Sequence, residues 1–72
     1  MTPGRQVLIG QRYRAVRPDG TPSLVVWEVV EVYRAAPGGI EHARLRKIGD
    51  RTETRTFATA IITNRARFAP EN

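Results

Sequence analysis

An all-β fold, a small barrel of five short strands, is what this sequence predicts, and three features predict it. Turn signals recur along the chain: "RPDGTPS" at 17–23, "APGG" at 36–39, "IGD" at 48–50 and "TN" at 63–64. The segments between them are short and rich in valine, threonine, tyrosine and isoleucine, the composition of strands rather than helices. The chain has 72 residues, room for one domain and too few for a sandwich. A single domain over 1–72 is expected, with the barrel at about 7–70 and short tails. So short a chain buries only about 60% of the surface its unfolded form exposes. Closure of the sheet or self-association is the remaining source of stability, because there is no cysteine for disulfides.

The first strand is predicted at "QRYRAVR", Gln11 to Arg17, with Tyr13 and Ala15 on one face and Arg12, Arg14 and Val16 on the other. The second, "LVVWEVVEVYR", is dominated by β-branched and aromatic residues. Its alternation slips: Val25, Trp27 and Val29 share a face, and the apolar positions then move to Val30 and Val32. A bulge near Val29 to Glu31 absorbs that slip and bends the strand. Trp27 is expected at the centre of the core and Tyr33 on the outer face.

Strands three and four come from "EHARLRKIGDRTETR", Glu41 to Arg55. A two-residue turn at Gly49 and Asp50 sets Arg46 opposite Glu53, Arg44 opposite Arg55 and His42 opposite Phe57. Ala43, Leu45, Thr52, Thr54 and Thr56 then face inward, and His42, Arg44, Arg46, Arg51, Glu53 and Arg55 outward. A longer turn would flip the strand-four half of that assignment. After Phe57, Ala58 to Ile62 form one helical turn and Arg65 to Phe68 the last strand. The alternative is an α+β fold with a C-terminal helix near 58–68, which the arginine in its apolar stripe opposes.

Four stretches, "GQRY", "VVWEVVEV", "EHARLRKIGD" and "RARF", together resemble the strands of small bacterial SH3-like β-barrel proteins, the architecture shared by KOW, Tudor and Sm-like modules. The resemblance covers roughly 7–70. It implies a five-stranded barrel whose first and last strands pair, with a short helical turn before the last strand. It brings no site residue with it. The Val-Gln-Ile-Tyr motif of the similar type II dihydrofolate reductases is absent, and at least three of the five aromatics are wanted by the core, which leaves too few for a methyl-lysine cage.

Catalysis is not expected. One histidine and no cysteine leave neither a typical zinc site nor a nucleophile with its base, and no glycine-rich phosphate loop occurs. No metal and no cofactor are expected. No apolar run approaches the ~20 residues of a membrane span, and the apolar part of "MTPGRQVLIG" is too short for a signal peptide. A cytoplasmic protein without a membrane partner is the expectation.

The net charge is +5 and eleven of the twelve basic residues are arginine. Arginine keeps its charge and forks onto phosphate or carboxylate, although GC-rich coding sequence produces the same bias. Three Arg-x-Arg triplets, "RYR", "RLR" and "RAR", each place two arginines on one side of a predicted strand. Pairing of the first and last strands would crowd Arg12 and Arg14 against Arg65 and Arg67, a repulsion that an anionic partner relieves. The expected function is a non-catalytic binding module that contacts nucleic-acid phosphates through Arg12, Arg14, Arg44, Arg46, Arg55, Arg65 and Arg67, with Tyr33 and His42 for base stacking. The alternative is a protein-interaction or oligomerising barrel whose arginines meet an acidic protein surface.

Overall fold

The computed structural model describes residues 6–71; the expected tails at 1–5 and 72 lie outside the described residues. The chain forms β1 (Arg12–Val16), β2 (Pro22–Arg34), β3 (Glu41–Lys47), β4 (Thr54–Ala58), a single helical turn α1 (Thr59–Ile62) and β5 (Phe68–Glu71). All pairings are antiparallel, in the order β4-β3-β2-β1-β5. The fold is all-β and compatible with a small β-barrel. Among the described residues, no helix is long and apolar enough to cross a membrane.

The sheet is curled but, among the described residues, not closed by hydrogen bonds. β4 and β5 are its two edges, yet Phe57 of β4 and Phe68 of β5 meet with ring centroids 5.1 Å apart in an edge-to-face arrangement. The two edges are thus joined by aromatic packing across the interior. The bulge in β2 lets the sheet curl this far. Val29 pairs with Leu45, while Glu31 pairs with Arg44, so Val30 is the extra residue. The slip in the apolar pattern falls where the backbone takes up that residue, and beyond it Val32 replaces the expected position as the inward neighbour of Ala43.

The buried core is Val7, Tyr13, Val29, Ala43, Leu45, Ile62 and Phe68. α1 contributes Ile62, which seats a fully buried side chain beside Leu45 and Val29. Each such aliphatic side chain stabilises the fold by roughly 1.5–3 kcal/mol on burial. Leu45→Ala, at the least exposed large position, would cost about 2–5 kcal/mol, the lost burial plus the cavity left behind. Tyr13 keeps its ring inside by donating its hydroxyl proton to Gln11 Oε1 at 2.9 Å, the oxygen that also accepts the Leu8 N–H at 2.8 Å.

Three expectations need correction. The β3–β4 connection is longer than two residues: Lys47 N–H donates to the Glu53 carbonyl, and residues 48–52 form the loop. Gly49, at φ 93°, closes a turn from Lys47 to Asp50, and Asp50 then starts a second turn to Glu53. The register moves by one, so Arg44 faces Thr56, Leu45 faces Arg55, Ala43 faces Phe57 and His42 faces Ala58. Ala43 and Leu45 are buried as expected, but Arg55 and Phe57 share their face, and Thr54 and Thr56 are exposed. Second, the last strand begins at Phe68, and Arg65 to Arg67 form a turn held by Arg67 and Phe68 N–H groups donating to the Asn64 carbonyl. This turn also ends the idea of a helix over 58–68. Third, Trp27 is half-buried at the margin of the core, opposite Lys47, while Leu45, Val29 and Ile62 occupy its centre.

Candidate nucleic-acid interface

The convex face of the sheet carries four of the expected arginines, and the register sets carboxylates beside them. Across β5, β1, β2 and β3 one row reads Glu71, Arg12, Glu28, Arg46, alternating in sign. Arg12 lies 3.5 Å from Glu28, Arg14 lies 2.6 Å from Glu71 and Arg44 lies 3.0 Å from Glu31. The side chains of each pair are partly exposed, although the bridging oxygens of Glu31 and Glu71 are themselves covered, and each pair contributes only about 0–1 kcal/mol to stability. Its larger consequence is electrostatic, because the positive potential of these arginines is cancelled within a few ångströms. Arg46 faces Glu28 in register without an ion pair. Farther along, Tyr33 and His42 are cross-strand partners with rings stacked at 6.1 Å. His42 Nδ1 lies 3.0 Å from the Ile40 carbonyl oxygen, an acceptor only, so Nδ1 carries the proton and donates it.

A second group of cations gathers at one end of the sheet. Strand directions bring the β1–β2 loop (17–21), the β3–β4 loop (48–52) and the turn before β5 (63–67) to that end. The loops carry Arg17, Arg51, Arg65 and Arg67, none of which has an ion pair among the described residues. Arg17, Arg65 and Arg67 line one groove of about 510 Å³.

Each of these loops is stiffened by its own side chain. Asp19 Oδ1 accepts the Thr21 N–H at 2.9 Å and the Thr21 hydroxyl at 2.6 Å. Asp50 Oδ1 does the same with Thr52, at 3.0 and 2.7 Å, and Asn64 Oδ1 accepts the Ala66 N–H at 2.9 Å. Such Asx turns explain why Asp and Asn occupy these positions. The hydroxyl of Thr21 and then its N–H hold the Asp19 carboxyl below its ordinary 3.8; Thr52 acts on Asp50 in the same way. Both acids are committed to backbone turns rather than to the arginines beside them.

Between the convex face and the loops, the concave side opens in a groove of about 330 Å³. Ala15, Val25, Trp27, Phe57 and Phe68 supply apolar wall, and Ser23, Lys47, Glu53 and Arg55 supply polar groups. The Arg55 guanidinium sits over the Trp27 ring, 5.6 Å from its centroid. Glu53 lies between Lys47 at 3.5 Å and Arg55 at 3.9 Å.

The expected contact set is therefore divided by the fold. Arg12, Arg14, Arg44, Arg46, Tyr33 and His42 share the convex face, Arg55 turns into the concave groove, and Arg65 and Arg67 belong to the loop end. The anticipated opposition of Arg44 with Arg55 is not made, and Arg12 and Arg14 neighbour Glu71 and Ala69 rather than Arg65 and Arg67. Arg17, Lys47, Arg51 and Trp27, which strand alternation did not single out as contacts, join the loop end or its groove. For Arg17, Lys47 and Arg51 the signal in the sequence was proximity to the turn motifs; Trp27 lies within β2 and has no such signal. No known protein family, curated protein or solved structure matches the chain, so the site is read from its own geometry.

Proposed function

We propose that this chain is a non-catalytic SH3-like β-barrel module that binds nucleic acid through the phosphate backbone, at the loop end of the barrel. The strand order, the bent β2 and the helical turn before β5 support the SH3-like reading. The observation that carries the functional reading is the sorting of charge. Arginines on the strands sit among glutamates, whereas Arg17, Arg51, Arg65 and Arg67 project from three stiffened loops without carboxylate partners among the described residues. Lys47 and Arg55, which share Glu53, carry the cationic zone into the concave groove. Binding of this kind is set by counterion release and only weakly by sequence.

The test is a titration of labelled single- and double-stranded oligonucleotides at low and moderate salt. Affinity should fall steeply with salt. Arg65→Ala with Arg67→Ala should flatten the single-strand salt slope by about 1.4, and Arg44→Ala with Arg46→Ala should change it less. Undetectable binding at low salt would remove the proposal.

One observation favours a second reading, a protein-binding or self-associating barrel. Among the described residues the outer edge of β4 is unpaired, and the strand contains no proline. Since Lys47 and Glu53 form a hydrogen-bonded pair, alternation points the backbone groups of Thr54, Thr56 and Ala58 outward. An extended segment from an acidic partner could add there as a further strand. Light scattering on a size-exclusion column, with Thr56→Pro as the variant that blocks strand addition, distinguishes self-association from a monomer.

A further inference from the structure

We infer that the concave groove beside Trp27 is a base-binding subsite, which makes the preferred ligand a single-stranded nucleic acid rather than a duplex. This rests on the reading of the loop end as a phosphate-binding surface and adds to it a place for the base.

Four observations support it. The groove joins aromatic wall from Trp27, Phe57 and Phe68 to a cationic rim of Lys47 and Arg55, the combination that stacks bases while holding the backbone. Its volume, about 330 Å³, lies within the range of small-ligand sites, roughly 300–1,000 Å³. Trp27 is only half-buried, and its indole N–H has no hydrogen-bond partner among the described residues, so a donor is available to a base edge. Finally, the groove neighbours the phosphate surface directly: Ala15 and Phe68, on its wall, are cross-strand partners, and the residues that adjoin them in the chain, Val16 and Arg67, line the arginine groove.

Arg55 is the movable part of the site. Its side chain is 60% exposed and its one carboxylate contact, to Glu53, is 3.9 Å long, so little holds it over the indole. An entering base takes the Trp27 side of the groove, with the guanidinium stacked on its other face or turned to the adjoining phosphate. A base inside a duplex cannot enter without being flipped out, at a cost in unstacking and unpairing. The single-strand preference follows from that cost.

Trp27 is the sole tryptophan of the chain, so intrinsic fluorescence reports on this groove alone. The probes are a short oligothymidylate, an abasic oligomer of equal length and phosphate number, and a duplex. The inference expects the oligothymidylate to quench and shift Trp27 emission and to bind roughly ten- to hundredfold more tightly than the abasic oligomer. Trp27→Leu, checked for folding by circular dichroism, should bring the two affinities together. Equal affinity of the two oligomers with unchanged emission overturns the base subsite and leaves phosphate binding standing. Salt-dependent binding with the duplex preferred also overturns it. Failure of every probe to bind at low salt overturns the phosphate reading and the subsite together. Because the contrast between oligomers is measured on the wild-type protein, it holds even if Trp27→Leu does not fold.

Discussion

The convex face of the sheet and its loop end carry similar numbers of arginines and differ in what lies next to them. On the strands, the register that buries Leu45 and Val29 also sets Glu28, Glu31 and Glu71 beside Arg12, Arg44 and Arg14. In the loops the nearby acids are Asp19 and Asp50, whose oxygens are committed to Thr21 and Thr52. Arginine count is therefore a poor guide to potential, and pairing decides it. A strand arginine with an opposed glutamate is part of the wet side of the sheet, whereas a loop arginine held by an Asx turn is presented outward.

The largest test of this contrast compares two triple variants. Replacing Arg17, Arg65 and Arg67 with alanine should weaken oligonucleotide binding about a hundredfold near 0.1 M salt, the loss expected for three single-strand phosphate contacts. Its thermal midpoint should scarcely move. Replacing Arg12, Arg14 and Arg44 should do the reverse, lowering stability by up to about 1 kcal/mol per pair with only a few-fold change in affinity. Equal losses of affinity would erase the distinction between the two regions.

A smaller effect sharpens the part played by loop geometry. Gly49 has φ 93° with nothing within 4 Å of the place a Cβ would occupy, so Gly49→Ala meets conformational strain and no clash. It should cost roughly 1–2 kcal/mol in urea unfolding. Because it disturbs the loop that presents Arg51, it should also weaken binding measurably. On the convex side, Glu31→Gln frees Arg44, and stability should fall by no more than about 1 kcal/mol. If the strand face were the site, freeing that cation would tighten binding; little change is expected.

The smallest expected effect is in pH. The carboxyls of Asp19 and Asp50 are held below their ordinary 3.8, so their charged forms are favoured by the fold. The stability they contribute is complete above that value and is lost as pH falls from there through their folded values. Thermal midpoints followed downward from pH 5 should show a small decline that Asp19→Asn, Asp50→Asn flattens. A midpoint that rises on acidification would contradict the turn assignments.

Much of the fold was legible in the residues because it rests on local patterns. The slip from Val29 to Val30 and Val32 marked the bulge, and "TAII" between strand patterns marked the helical turn. Ala43 and Leu45 were readable as core by alternation alone. The face of β4 was not, since it depended on the length of one loop. Gly49-Asp50 reads as a two-residue turn, yet the Asp50–Thr52 Asx turn extends the loop to 48–52 and exchanges the faces. The last strand was misplaced because "RARF" alternates like a strand, while Asn64 caps that stretch into a turn. The candidate site was the least legible part. Whether an arginine is paired depends on residues far along the chain, as with Arg14 and Glu71, and no local pattern records that.

The central claim is that nucleic acid meets the loop end and not the arginine-bearing strand face. Backbone and indole NMR shifts during titration with a short single-stranded oligonucleotide test it most directly. The largest perturbations are expected at Arg17, Lys47, Arg51, Arg65, Arg67 and the Trp27 indole N–H, with Tyr33, His42 and Arg44 nearly unmoved. Perturbations concentrated on Arg12, His42 and Arg44 would contradict it.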